Sequence, residues 1–231
     1  EDAPALPPGG WSISNQAGQT GWQFGGICSN YTDGPSSFPS ASLGFGTNLC
    51  GDYDSSSDNS LYSPSYYVPL GASARFVWQH WMCSEDSWDG GLLYVSTNGG
   101  AWNQAFVNYT NSTNWYDGTI TSTSGFIGTN VWDGRQYVAA SGQFSCTSSV
   151  NIPWLSMEYD VSNLSGNNVS FRFRQISDTA VQEPGWYVDD IGLEVDWFET
   201  EGSWRSPLVS TNDLGYGFVD ADVILPANTW Y

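Results

Sequence analysis

Segment 169–174 fits one local conformation. Val169, Phe171 and Phe173 alternate with Ser170, Arg172 and Arg174. Successive side chains of a strand point to opposite faces, so this period of two predicts a strand with one apolar and one charged face. Glu183-Pro184-Gly185 supplies turn chemistry, because proline presets φ and glycine tolerates the bend. A second strand then carries Asp189 and Asp190 between Val188 and Ile191. Carboxylates within an apolar strand are costly unless their desolvation is compensated. Arg172 and Arg174 on the preceding segment could pair with them, and a bound cation could do the same; both remain open.

The pattern recurs along the chain. Short strands are expected at 11–15, 19–26, 61–70, 72–82, 92–97, 134–145 and 152–160. Phe76, Trp78 and His80 alternate with Val77, Gln79 and Trp81, so both faces of that segment suit a central strand. Asn98-Gly99-Gly100 is a strong hairpin signal. No apolar heptad persists, and 26 glycines serve many turns. With 231 residues there is material for one large sandwich with extensions. The expected fold is all-β, one large β-sandwich of short strands. An extended Pro-rich leader at 1–10 precedes it. A C-terminal extension at 196–231 follows, with a further strand at 219–225 able to pair within the chain or with another subunit.

Charge narrows the partners. Asp and Glu total 24 against five arginines and no lysine, a formal net charge of −19. Such a chain repels nucleic acid and anionic membranes, and no apolar stretch is long enough for membrane insertion. It favours divalent cations. Asp52, Asp54 and Asp58 alternate with small residues in a turn-rich stretch, an oxygen-ligand spacing that suits calcium. Asp52, Asp54, Asp189 and Asp190 are the first candidate metal ligands. Glu85, Asp86 and Asp89 precede a strand and mark a second cluster, with Glu85 and Asp89 its candidate ligands or simply solvated loop residues.

Four cysteines lack zinc spacing, and their even number suggests two disulfides. Three connectivities exist; Cys28–Cys50 and Cys83–Cys146 is the favoured one. Asn30, Asn108, Asn111, Asn163 and Asn168 head Asn-X-Ser/Thr sequons. Together these features point to a secreted, extracellular or cell-surface glycoprotein. The single histidine, His80, reads as a packed, hydrogen-bonded residue rather than a catalyst. No GxSxG, HExxH or P-loop occurs, so the expected function is non-enzymatic.

The pieces SPSYYVPLG, RFVWQHW, WDGGLLYVSTNGGAW, FRFRQISD and GWYVDDI resemble the MAM-like jelly-roll modules of secreted proteins, including domains appended to bacterial extracellular peptidases. That resemblance covers 11–195 and implies a two-sheet antiparallel β-sandwich of jelly-roll type used for adhesion or carbohydrate contact, often with a structural cation held by an acidic pair such as Asp189-Asp190 and an acidic loop, here Asp52 or Asp54. Among 13 tryptophans, Trp88, Trp102, Trp115 and Trp132 lie in segments that read as loops and are candidates for stacking on sugars. The same four could sit in a core or a subunit interface instead. The favoured reading is a structural subunit of a surface assembly or filament, its partners copies of itself joined by strand or arm exchange. The alternative is a module binding polysaccharide, or an accessory domain of a secreted hydrolase.

Overall fold

The computed structural model describes residues 5–40, 42–106, 115–134, 152–199 and 202–205. Strands in chain order are β1 (Ser12–Ser14), β2 (Trp22–Gly25), β3 (Gly44–Thr47), β4 (Asp58–Tyr62), β5 (Tyr66–Tyr67), β6 (Ser73–Cys83), β7 (Gly90–Thr97), β8 (Asn103–Gln104), β9 (Gly118–Thr119), β10 (Asn130–Val131), β11 (Leu155–Asp160), β12 (Asn168–Ile176), β13 (Gly185–Glu199) and β14 (Gly202–Arg205). The only helical element among the described residues is one 3-10 turn at Ser162–Leu164.

Twelve of these fourteen strands form two facing antiparallel sheets, and β9 and β10 form a separate two-stranded antiparallel sheet. The first has the order β1-β4-β12-β7-β8, with β5 also on β12. The second has the order β11-β6-β13-β3-β2, with β14 on β13. Alternation dictates the layering. Phe171 and Phe173 of β12 and Leu61 of β4 point inward from the first sheet, opposite Ala74, Phe76 and Trp78 of β6 and Trp186 and Val188 of β13. Phe76 and Phe171 stack across the two sheets with ring centroids 3.6 Å apart. The core is unusually aromatic: Trp22, Trp78, Trp132 and Trp186 are all fully buried.

Several expectations are met in detail. β6 lies inside its sheet, flanked by β11 and β13. The 98–100 turn closes on residues of positive φ at Asn98 and Gly99, the backbone such hairpins require. His80 is buried, and the Trp186 indole N–H donates to its Nδ1 at 3.3 Å. Cys28 and Cys50 form a disulfide with Cα atoms 4.9 Å apart. Cys83 is buried; its expected partner Cys146 lies outside the described residues, as do the strands expected at 134–145 and 219–225.

The structure corrects others. Segments 169–176 and 185–199 are not neighbours in one sheet: β12 belongs to the first sheet and β13 to the second. Arg172 and Arg174 therefore do not pair with Asp189 and Asp190. The turn-rich stretch 28–59 contains β3 and the start of β4. At the other end, β13 runs unbroken past residue 195 to Glu199 and hairpins into β14, so the sheet crosses the boundary expected at 195/196. At the start, Ala5 bridges to Phe24, so the leader touches the sandwich.

Candidate functional site

The outward face of the first sheet carries a row of unlike side chains in register. Tyr62 on β4 stands opposite Arg172 on β12, and Arg172 stands opposite Tyr94 on β7. Tyr94 in turn faces Gln104 on β8. Because Phe171 and Phe173 are buried inward, residues 172 and 174 must point out. The Arg172 guanidinium lies over the Tyr94 ring, 4.2 Å from its centroid, and 5.6 Å from that of Trp102. Trp102 itself packs against Tyr62 at 5.6 Å. All four residues are half-buried.

Arg174, one step along, is differently placed. Its Nε and Nη2 bind both oxygens of Asp58 at 2.7 and 2.6 Å, and its guanidinium covers Phe126 at 4.7 Å. Phe126 belongs to the 115–134 segment, which buries Ile120 and Val131 on Leu92 and Ile176 and so roofs one part of this face. On the second sheet the outer face is closed by a separate cluster of Phe38, Leu49, Trp81, Ile152 and Tyr187. The Tyr62–Arg172–Tyr94–Trp102 strip is thus a half-exposed aromatic surface around a cation.

A second constellation lies in the loops. Glu85, Asp89 and Asp178 each bring a carboxylate oxygen within 4.8 Å of the others, the only such group of three or more candidate ligands among the described residues. Asp89 is fully buried. It accepts from the Tyr53 hydroxyl at 2.7 Å and from the Asp178 backbone N–H at 2.6 Å. The Tyr53 hydroxyl also accepts from the Glu85 N–H at 3.1 Å. Burial pushes the Asp89 carboxyl up to about 7, with Asp178 and Glu85 adding repulsion against the two hydrogen bonds that oppose it. Burial and the Asp89 charge push the Tyr53 phenol upward too. Oxygen donors at this spacing suit a hard cation such as calcium.

The four first-choice metal candidates do not converge. Asp52 accepts from the Tyr31 hydroxyl at 2.7 Å, and Asp54 accepts from the Thr20 and Gly21 amides at 2.7 and 3.3 Å. Asp189 and Asp190 sit at a β-bulge, where two residues of β13 oppose one of β6 and Asp190 takes a positive φ. There they hold Ser40, whose N–H reaches Asp189 at 3.4 Å and whose hydroxyl bonds Asp190. Glu85 and Asp89 of the second cluster do come together, and the carboxylate missed beside them was Asp178. Its place at the end of β12 beside a loop 89 residues distant left no local signal.

Among the stacking candidates, Trp115 and Trp132 are core residues and have no face free for a sugar: Trp132 is 0% exposed and packs on Tyr116 with centroids 4.6 Å apart. Trp88 is 40% exposed, and Trp102 joins the arginine strip. Asn30, Asn163 and Asn168 are exposed, as sugar attachment requires; Asn108 and Asn111 lie outside the described residues.

The class these observations define is an antiparallel β-sandwich module with an aromatic, arginine-centred outer face. No family model matches the chain. It is 27% identical over 187 residues to Bacillopeptidase F of Bacillus subtilis, covering 80% of this chain and 10% of that protein. The chain thus spans about a tenth of the length of that relative. Among solved structures it resembles TmCBM61 in complex with β-1,4-galactotriose (12% identity, 80% of this chain and 88% of that one, TM-score 0.41). It also resembles a cleaved adhesin domain of Lys-gingipain from Porphyromonas gingivalis (16% identity, 83% and 93%, TM-score 0.42).

Proposed function

We propose that the chain acts as a non-catalytic binding module of a larger extracellular protein, with a saccharide as its ligand. The observation that carries this reading is the half-exposed row Tyr62–Arg172–Tyr94 with Trp102 beside it. Aromatic faces pack on the apolar faces of sugar rings, and the neighbouring polar groups set orientation. The sequence likeness to a short part of a much longer peptidase supports an accessory role. The disulfide suits an oxidising compartment, and no described helix is long and apolar enough to cross a membrane.

Glu85, Asp89 and Asp178 would hold a structural calcium ion, whose charge would relieve the repulsion raising Asp89. The filament reading rests on residues 1–10 and 196–231. Most of that tail lies outside the described residues, and nothing among those described favours exchange of arms. Affinity electrophoresis in gels cast with soluble polysaccharides tests the binding reading. Retardation of the wild type, lost in Trp102→Ala with the melting temperature kept, is the expected result. Unretarded migration across neutral and acidic polysaccharides would overturn it.

A further inference from the structure

Three of the five arginines have described side chains, and they differ in one respect. Arg75 pairs with Glu194 at 2.8 Å, and Arg174 pairs with Asp58 at 2.6 Å. Arg172 makes no ion pair and no hydrogen bond among the described residues. Its Nε is buried without an acceptor, and its contacts are the rings of Tyr94 and Trp102. In a chain with 24 acids this needs a reason. Register supplies part of it: the positions facing Arg172 across β4 and β7 are tyrosines, not carboxylates. Stacking on a ring holds a guanidinium flat and leaves its N–H edge for a planar acceptor. The group that matches that fork in two parallel hydrogen bonds is a carboxylate or phosphate.

We propose, resting on the saccharide-binding reading above, that the Tyr62–Arg172–Tyr94–Trp102 strip selects acidic sugars, binding the carboxylate of a uronic acid residue at Arg172 while an adjoining ring packs on Trp102. A sugar ring combines the two features the strip offers to match, an apolar face and a carboxylate in one short unit. Net charge does not forbid it. Screening confines exposed charges to roughly 8 Å at physiological ionic strength, and Asp58, four residues along β4 from Tyr62, is already paired with Arg174.

Isothermal titration compares oligogalacturonate with its methyl ester, which keeps the rings and removes the charge, and with a neutral galacto-oligosaccharide. The expected wild-type preference for the acid over the ester is about tenfold or more, the scale of a hydrogen bond to a charged group. Arg172→Ala should abolish that preference, and Arg172→Lys should keep only part of it, because the ammonium lacks the fork. Trp102→Ala should weaken acid and ester alike. Equal affinity for acid and ester, or a preference that survives in Arg172→Ala, overturns the acidic-sugar inference and leaves the binding module standing. No binding of any of the three, with no retardation on other polysaccharides, overturns both. The acid–ester comparison uses the wild type alone, so it decides the matter even if a variant fails to fold.

Discussion

The buried carboxylate of Asp89 makes a signed prediction about stability and pH. Its folded value lies near 7 against an ordinary 3.8. A raised carboxylate holds its proton more tightly in the folded state than in the unfolded one. Its favourable contribution is therefore complete below the unfolded value and is lost as pH rises through about 7. Three units at 1.36 kcal/mol each make about 4 kcal/mol, an upper bound because relaxation and water entry soften buried charges. Asp89→Asn removes the titration and keeps the geometry. The amide oxygen still accepts from the Asp178 N–H, and the amide N–H₂ can donate to the Tyr53 oxygen. Denaturant unfolding with chelator at pH 4.5, 5.5, 6.5 and 7.5 provides the assay. Relative to the variant, the wild type should lose about 2 to 4 kcal/mol across that range. Calcium should reverse the trend, since the ion binds the ionised carboxylate: wild-type stability then rises towards pH 7.5 by mass action while the variant stays unresponsive. Asp133, also pushed up to about 7 by burial, serves as control; Asp133→Asn flattens the chelator profile in the same sense and leaves the calcium response intact. Parallel profiles for wild type and Asp89→Asn in chelator would refute the linkage argument. Failure of calcium to move the wild type would remove the ion.

Trp132→Ala should cost about 3 to 5 kcal/mol, because a fully buried indole at the junction of Trp78, Trp115 and Trp186 leaves a cavity; a thermal melt unchanged from wild type would contradict its place in the core. Replacing Cys28 and Cys50 by serine opens a loop with a sequence separation of 22 and should lower stability by roughly 3 kcal/mol in a denaturant titration.

The sheet architecture was legible in the sequence because burial on one face writes a period of two into the chain. Phe171 and Phe173, or Phe76 and Trp78, announce a strand without any knowledge of their neighbours. The hairpin at 98–100 and the Cys28–Cys50 loop were likewise local. Sheet membership was not, because alternation says which face of a strand is buried and nothing about which strand lies beside it. β12 and β13 follow one another in the chain and sit in opposite sheets, so Arg172 and Arg174 face away from Asp189 and Asp190. The same limit hid Asp178, which meets Asp89 only after the sheets are stacked, and β3, whose glycine-rich run reads as a turn. Trp115 and Trp132 looked like loop residues because their segment lacks strand periodicity; the fold buries them by laying that segment over the sandwich. Composition and periodicity thus determined the class of fold and the abundance of acids and aromatics. Tertiary pairing alone decided which of the three described arginine side chains was left without an acid and which carboxylates were forced together. Pairing between distant segments depends on register and stacking, and those arise from the whole chain at once.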